Sequence, residues 1–272
     1  MNRKIYFLLF LLSCSGTAFP EQPQVSDKCW RWELLKPADL QQALDTLPIV
    51  YMVVSPLEWH GDAMPFGTDP VIGAYIAESA WRKTGGVLIP TLYIGNETLY
   101  KDWTSQGLTD YWGLEWLTKE HNPGSLYLAT LTFELVIREM LAGVEREGFK
   151  ACVIVSGHAG VEYVRILEEF EQVSQQRPMK VIYSQLADIN APAGIDFPGD
   201  TGHADCSEFS ILGAIDSTLV DKALFGKSSR DRKTGLDDKK ADLIDYEKGQ
   251  AYLDYRVERI VKTVERFLGE QK

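Results

Sequence analysis

Three of the four histidines in this chain of 272 residues lie beside carboxylates, in three short segments. The residues concerned are Glu58, His60, Asp69, His158, His203 and Glu208. Imidazole and carboxylate groups together are the ligands that zinc, manganese and iron use in proteins. The sequence therefore indicates a metal site, and such a site favours a metal-dependent hydrolase.

The spacing within the first segment favours a single site. Glu58 and His60 are two residues apart, and side chains two apart point to the same side of an extended chain. Glycine and proline residues then allow the chain to turn back to Asp69, which begins a helix expected over residues 69–84. A carboxylate is favoured at a helix N-terminus. The alternatives are an N-cap role for Asp69 and a surface pair at a strand end for Glu58 and His60.

The second segment, Ser156–Gly160, follows an apolar strand and precedes a helix. Its glycines permit a close approach of the backbone, and the imidazole of His158 projects from the strand end. Ser156 is a weak candidate nucleophile, because the Gly-x-Ser-x-Gly pattern of a nucleophile elbow is absent. The pattern of a phosphate-binding loop is also absent. A structural histidine is the alternative to a ligand.

The third segment, from His203 to Glu208, opens another predicted helix. His203 is expected to act as a ligand, as an acid–base group or as a group that orients the substrate. Glu208 is either a ligand or the partner of Asp205 in a capping-box-like arrangement. Cys206 lies between them and is a further candidate ligand. The fourth histidine, His121, is expected to be structural or to line the substrate site.

Apolar runs alternate with amphipathic segments along the chain, and they predict the elements that carry these residues. Strands that alternate with helices predict an α/β fold with a mostly parallel sheet covered on both faces. Such sheets place their sites at the carboxyl ends of strands, which is where all three segments fall. The predicted strands are 49–54, 87–90, 151–155 and 181–183, and the predicted helices are 69–84, 131–146, 161–175, 207–219 and an amphipathic helix in the last 30 residues.

The first 18 residues are expected to be a signal peptide. A basic stretch at residues 2–4 precedes an apolar run over residues 5–12, which is too short to span a bilayer. Leu11–Cys14 resembles a bacterial lipobox, in which Cys14 would be acylated, and Gly16–Ala18 is the alternative cleavage site. Both alternatives predict export to the bacterial cell envelope. The protein would lie in the periplasm, anchored to the membrane if Cys14 carries the lipid.

The rest of the chain is expected to hold a linker over residues 19–30 and a single catalytic domain over residues 31–272. The net charge of −11 argues against nucleic acid as a partner, because phosphate binding needs a basic face. A small-molecule substrate is expected instead. The envelope permits disulfides, so a bridge between Cys29 and Cys206 is one alternative. Cys152 lies in an apolar strand and is expected to be a small core residue.

Four pieces of the sequence resemble, in this order, the motifs of the creatininase family of creatinine amidohydrolase-like metallohydrolases. The pieces are Glu58–Asp69, Pro123–Leu126, Ser156–Gly160 and His203–Glu208. The first, Glu-x-His-Gly followed by Pro-x-Gly-Thr-Asp, is the most specific, and the resemblance covers roughly residues 45–220. It implies a three-layer α/β/α sandwich, a homo-oligomer that is often a hexamer, and a site for two divalent ions. Those ions would be zinc or manganese, with iron as a further choice.

The resemblance also implies a ligand set for each ion. The ligands of the first ion would be Glu58, Asp69 and His158. Those of the second would be His60, Asp69 and Glu208. Glu208 takes the last place because Gly160 stands where creatininase itself has a glutamate, and this difference disfavours creatinine as the substrate.

The expected reaction is the hydrolysis of a small, cyclic amide by water activated between two ions. His203 or Glu208 would move the proton to the leaving nitrogen. Trp59, Trp103 and Ser125 are expected to contact the substrate. One alternative keeps the metal site but changes the substrate to a sugar-derived ring ketone, a lactone or a peptide. The other is a non-catalytic envelope lipoprotein with a relict fold.

Overall fold

The computed structural model describes residues 28–96, 124–185, 194–195, 197, 203–227 and 238–270. Cys14, Trp103, His121 and Pro123 lie outside the described residues, and so does the expected signal peptide. Most of the expected linker lies outside them as well.

A sheet of five parallel strands forms the centre of the described fold. The strands are β1 (Cys29–Arg31), β2 (Ile49–Val53), β3 (Gly86–Leu88), β4 (Ala151–Val155) and β5 (Lys180–Ser184). Their order across the sheet is β1-β3-β2-β4-β5, and each neighbouring pair is parallel. Every residue of β2 and β4 is buried, as the continuous apolar runs predict for strands covered on both faces.

Helices cover both faces of the sheet. They are α1 (Pro37–Thr46), α2 (Thr68–Thr84), α3 (Thr130–Glu147), α4 (Val161–Ser174), α5 (Cys206–Ile215) and α6 (Tyr246–Glu270). Helices α2, α5 and α6 share one core with Tyr51 and Val153, and α1, α3 and α4 share the other with Met52 and Ile154. Neighbouring strand residues point to opposite faces, so β2 and β4 contribute to both cores. The fold is the expected three-layer α/β/α sandwich.

Among the described residues, no helix combines the length and the apolar character needed to cross a bilayer.

The direction of winding reverses between β2 and β4. From β2 the chain passes through α2 to β3 on one side, and from β4 it passes through α4 to β5 on the other. In open α/β sheets a crevice forms at the carboxyl ends of the strands where the order reverses. The segments that follow these two strands carry Glu58, His60 and His158. The topology therefore brings the first two segments together.

Some elements differ from those that the sequence predicts. The short edge strand β1 pairs with β3, and its first two residues, Cys29 and Trp30, fall in the segment expected to be linker. The sequence also predicts no helix where the structure has α1. The helix expected over residues 207–219 ends at Ile215, because Asp216 adopts an extended conformation. Its side chain accepts the N–H of Thr218 and opens a 3-10 turn.

The described cysteines are all thiols, so the bridge between Cys29 and Cys206 is not formed. The Cys29 thiol donates a hydrogen bond to the carbonyl oxygen of Trp81, with 3.3 Å between the atoms. Burial raises the pKa of the Cys152 thiol to about 12, as befits a small residue in the core.

Candidate metal centre

The first segment forms an irregular loop after β2 that returns to the start of α2. The N–H of Glu58 donates to the carbonyl oxygen of Phe66 at 2.9 Å and closes the loop. Gly61 has a φ of 76°, in the left-handed region that favours glycine. Helix α2 begins at Thr68, with Gly67 as its N-cap, so Asp69 lies inside the first turn and is not the cap. Its carboxylate is buried and faces the site.

The second segment packs directly on the first turn of α2. A Cβ atom on Gly157 would lie 2.1 Å from the carbonyl oxygen of Asp69, so only glycine permits this approach. The N–H of Gly157 donates to Ser55 Oγ at 3.1 Å. The buried Oγ of Ser156 accepts the N–H of His158 at 2.8 Å and donates to its carbonyl oxygen at 2.7 Å. Ser156 thus shapes the turn that presents the imidazole.

The third segment enters the site from the start of α5. Asp205 is the N-cap of this helix, and its side chain accepts the N–H of Cys206. Ala204 has a φ of 53°, and its N–H donates to the carboxylate of Glu208. The capping box with Asp205, named as the alternative for Glu208, is not formed, because Glu208 accepts the N–H of Ala204 and Asp205 accepts that of Cys206. The carboxylate of Glu208 also faces the site, with Oε2 at 3.6 Å from Nε2 of His60.

Two carboxylates each face two imidazoles. Asp69 has Oδ1 at 2.9 Å from His60 Nε2 and Oδ2 at 3.1 Å from His158 Nδ1. Glu58 has Oε2 at 2.8 Å from His158 Nδ1 and Oε1 at 3.6 Å from His203 Nδ1. The sequence-predicted ligands therefore converge in one buried cluster, with Asp69 and Glu58 linking its parts.

Backbone carbonyls determine which ring nitrogens face the cluster. His60 Nδ1 lies 3.0 Å from the carbonyl oxygen of Glu58, and His158 Nε2 lies 3.2 Å from that of Asn96. Carbonyl oxygens only accept, so these nitrogens carry hydrogen and leave the opposite nitrogens as lone-pair donors in the neutral rings. Metal-bound histidines are oriented in this way. The ring of Tyr163 supports His158 edge-on, with 4.9 Å between centroids.

Neither Asn96 nor Tyr163 is among the residues that the sequence singles out. Asn96 acts through its main chain, which no residue type reveals. Tyr163 lies in the helix after the second segment, where a buried aromatic residue is ordinary, and its hydroxyl donates to the carbonyl oxygen of Val54 at 2.6 Å. No signal in the sequence distinguishes either residue.

The described residues contain three groups of ligand atoms that lie within 4.8 Å of one another. They are Glu58, Asp69 and His158; His60, Asp69 and Glu208; and Glu58, His60 and His203. The first two groups are the ligand sets that the family resemblance implies, and they share Asp69.

The distances in the cluster suit cations. Two ligands on a tetrahedral zinc ion lie about 3.3 Å apart, given typical bond lengths. The imidazole–carboxylate distances in the cluster range from 2.8 to 3.6 Å. His60 Nε2 and Asp69 Oδ1 are buried without a hydrogen-bond partner among the described residues, although they lie 2.9 Å apart. Two ligand atoms directed at a common ion have this arrangement, so the residues fit divalent metal ions.

The charges of the cluster shift the pKa values of its members. Burial alone would raise the pKa of Glu58, but the neighbouring histidines, His158 first, hold it well below its ordinary value. Burial alone would lower the pKa of His60, but Asp69 and Glu208 hold it well above its ordinary value. A proton on the imidazole of His60 therefore balances the buried carboxylates beside it in the metal-free chain, and a cation would take its place.

His203 is the most open of the three histidines in the cluster. Its side chain is 26% exposed, against 0% for His60 and 4% for His158. Its ring lies 4.8 Å from the ring of His60. His203 is thus the most exposed imidazole of the three, while its Nε2 is buried.

Trp59 and Ser125, both expected to contact the substrate, instead contact each other. Trp59 is only 2% exposed, and its backbone N–H donates to Ser125 Oγ at 2.8 Å. Ser125 therefore supports the loop that carries the first segment, and Trp103 lies outside the described residues. Tyr127 is a further aromatic residue at the site that the sequence does not single out, with its ring 6.4 Å from that of His158.

Solved creatininases share this fold. A crystal structure of creatinine amidohydrolase (creatininase) matches with a TM-score of 0.66 and 18% identity, over 88% of this chain and 98% of that one. A structure named for creatininase with Mn has a TM-score of 0.67, 18% identity and the same coverage. A mutant creatininase of Zn-Zn type has a TM-score of 0.64 and 19% identity, again with that coverage.

A relative from Methanosphaera stadtmanae is named 2-amino-5-formylamino-6-ribosylaminopyrimidin-4(3H)-one 5'-monophosphate deformylase. It is 25% identical over 167 residues, which are 60% of this chain and 58% of the relative. The match thus spans little more than half the length of that enzyme. The family model described as "Creatininase: Creatinine amidohydrolase" matches residues 33–264, and the chain therefore belongs to the creatininase family.

Proposed function

We propose that the protein is a metal-dependent amidohydrolase that cleaves a C–N bond of a small, cyclic amide. The observation that carries this proposal is the position of Asp69, whose two oxygens face the imidazoles of two different ligand groups. These groups would hold two divalent ions, zinc or manganese, which would supply activation of water and polarisation of the amide carbonyl.

The names of the relatives support the amide class. The structural relatives are creatinine amidohydrolases, and two of them are named for Mn and Zn-Zn forms. The relative from Methanosphaera stadtmanae is a deformylase whose name specifies a formylamino group. Both kinds of name describe hydrolysis at an amide-type nitrogen, so a panel of amides is the natural starting point for this chain.

We assign proton transfer to His203 and metal ligation to Glu208. The imidazole of His203 is partly open to solvent and lies beside His60 and Glu58, so it can carry a proton to a leaving nitrogen. The carboxylate of Glu208 is held by the N–H of Ala204 and is buried. A fixed, buried carboxylate suits a ligand better than a group that shuttles protons.

Metal content per chain tests the proposal. We expect nearly two ions per chain by elemental mass spectrometry on untagged protein, and their loss in Asp69→Ala, because both ligand groups contain Asp69. Asp62→Ala is the matched control, since Asp62 is an exposed acid of the same loop. A wild-type chain that stays empty after incubation with zinc or manganese would contradict the hydrolase and favour a relict fold that binds a ligand.

The substrate class needs a second assay. The metal-loaded protein is tested on cyclic amides, formamides, lactones, ring ketones and short peptides. We expect turnover of cyclic amides, and we expect His203→Ala to abolish it while metal content persists. Turnover of lactones or ketones alone would move the assignment to the alternative chemistry on the same site.

We also propose that the chain is exported and anchored to the envelope through an acylated Cys14, on the strength of its lipobox-like Leu11–Cys14. Radiolabelled palmitate should label the wild type and the control Cys29→Ser but not Cys14→Ser. Absence of label from the wild type would favour soluble export.

The homo-oligomer that the family resemblance implies is tested by analytical ultracentrifugation.

A further inference from the structure

The third group of ligand atoms, Glu58, His60 and His203, is used by neither of the two implied ions. Glu58 supplies a separate oxygen to each side of the cluster, since Oε2 faces His158 at 2.8 Å and Oε1 faces His203 at 3.6 Å. A carboxylate that divides its oxygens in this way can ligate an ion near His203 without leaving the ion near His158.

His60 belongs to two of the three groups and limits how they are filled. Its Nδ1 is engaged by the carbonyl oxygen of Glu58, so the buried Nε2, 2.9 Å from Asp69 Oδ1, is the nitrogen that faces the ligand groups. A single lone pair binds one ion at a time. The group with Asp69 and Glu208 and the group with Glu58 and His203 are therefore alternatives for one ion.

We propose that the second metal ion has two alternative positions that share His60. The inner position is completed by Asp69 and Glu208, and the outer position is completed by Glu58 and His203. This inference rests on the proposed function, because it divides the site of the second ion. The two positions differ in exposure through His203 alone, whose side chain is 26% exposed, while those of Glu58, Asp69 and Glu208 are 4%, 1% and 6% exposed.

The two positions differ in what they leave free. With the ion in the inner position, the imidazole of His203 is available for proton transfer. With the ion in the outer position, the imidazole of His203 binds the ion through its lone pair and cannot act as a base. The outer position is thus a resting state in which hydrolysis is blocked.

Zinc stoichiometry by equilibrium dialysis tests the alternative positions. The variants are Glu208→Gln, His203→Ala and the double variant. The amide of Glu208→Gln keeps an acceptor for the N–H of Ala204, so the start of α5 is preserved. We expect two zinc ions per chain in the wild type and in both single variants, because one position remains in each, and one ion in the double variant.

A second readout follows the imidazole of His203 directly. The chain has four histidines, so nuclear magnetic resonance of protein labelled with ¹⁵N-histidine resolves them, and His203→Ala assigns the signal. In Glu208→Gln, the second equivalent of zinc should shift the ring-nitrogen signals of His203, because the ion is confined to the outer position.

The outcomes separate this inference from the proposed function. A wild type that binds no zinc contradicts the metal-dependent hydrolase itself. A wild type with two ions and a Glu208→Gln variant with one contradicts only the outer position. Two ions in Glu208→Gln with unshifted His203 signals also overturn it, because the ion would then be held elsewhere.

Discussion

A Cβ atom on Gly157 would lie 2.1 Å from the carbonyl oxygen of Asp69. The turn after β4 and the first turn of α2 are therefore in backbone contact. This contact places the carboxylate of Asp69 beside His158, at 3.1 Å between Oδ2 and Nδ1. The position of the shared carboxylate thus depends on a residue that has no side chain.

Gly157→Ala should disturb both the fold and the metal site. The new methyl group forces one backbone to move, which should lower the free energy of unfolding by about 2–3 kcal/mol. Chemical denaturation measures this loss, and a zinc titration should show weaker binding because Asp69 moves relative to His158.

A matched glycine in α3 provides the control. At Gly143 a Cβ would meet only the far end of the Arg146 side chain, at 4.0 Å. Alanine there should stabilise the helix by roughly 0.5–1 kcal/mol. If Gly157→Ala were as stable as Gly143→Ala, the backbone contact would not constrain the site.

The raised pKa of His60 predicts that metal binding releases a proton. Ligation needs the neutral imidazole, and His60 keeps its proton above the ordinary pKa range in the metal-free chain. Metal affinity should therefore rise with pH until the raised pKa is passed. Isothermal titration calorimetry in two buffers of different ionisation enthalpy measures the released protons, and identical heats in both buffers would contradict the prediction.

The stability of the metal-free chain should depend on pH in the direction opposite to that of the metal affinity. The raised pKa of His60 stabilises the fold below its ordinary value of 6.5, and this stabilisation is lost as pH rises through the raised value. The lowered pKa of Glu58 stabilises the fold above its ordinary value of 4.5, and this is lost on acidification. The Tm of metal-free protein should therefore peak at mildly acidic pH. A Tm that climbs steadily from about pH 6 to about pH 9 would argue against it.

Ser156 should behave as a structural residue. Its buried Oγ bonds both the N–H and the carbonyl oxygen of His158. Ser156→Ala should lower the free energy of unfolding by about 1–2 kcal/mol and leave the metal content at saturating zinc unchanged. A fluorophosphonate, which labels serine nucleophiles, should not modify the wild type. Labelling of Ser156, found by peptide mass spectrometry, would restore the nucleophile interpretation.

Side chains of helix α4 accept the outward N–H groups of β5, which lies at the edge of the described sheet. The N–H of Tyr183 donates to Glu171 Oε1 at 2.9 Å, and the N–H of Val181 donates to Ser174 Oγ at 2.8 Å. Unpaired N–H groups on an edge strand invite pairing with another chain. The double variant Glu171→Ala and Ser174→Ala should therefore lose roughly 1–3 kcal/mol and self-associate more than the wild type.

Light scattering at increasing protein concentration measures this association. Glu169→Ala is the control, because Glu169 lies on the same helix, its side chain is 62% exposed, and its carboxylate pairs with Arg165 of that helix. Equal association of the double variant and the control would show that Glu171 and Ser174 do not protect the edge.

The central strands are predictable from the sequence because burial on both faces requires continuous apolar runs. The edge strand β1 is not, since three residues are too few to show a period. The apolar pattern after His203 continues to Leu219, so it predicts too long a helix. The break at Asp216 comes from one side-chain hydrogen bond to Thr218, which competes with the helix.

The residue types also indicate which side chains meet at the carboxyl ends of the central strands. Glu58, His60 and His158 lie close together as their positions after the central strands suggest, although their binding of metal stays a prediction. The contact from the Asn96 carbonyl could not be predicted, because main-chain groups are the same in every residue. The bond between Ser125 and the N–H of Trp59 joins positions that only the folded chain brings together.

The ligands of the candidate centre come from the loop after β2, the start of α2, the turn after β4 and the start of α5, and α6 packs on both α2 and α5. No N-terminal fragment of the chain that stops before Glu208 therefore contains the whole centre, and it is assembled only after synthesis has passed that residue. A chain that crosses a membrane unfolded would arrive there without bound ions. The supply of metal in the receiving compartment, and not that of the cytoplasm, would then decide which ions the mature protein carries.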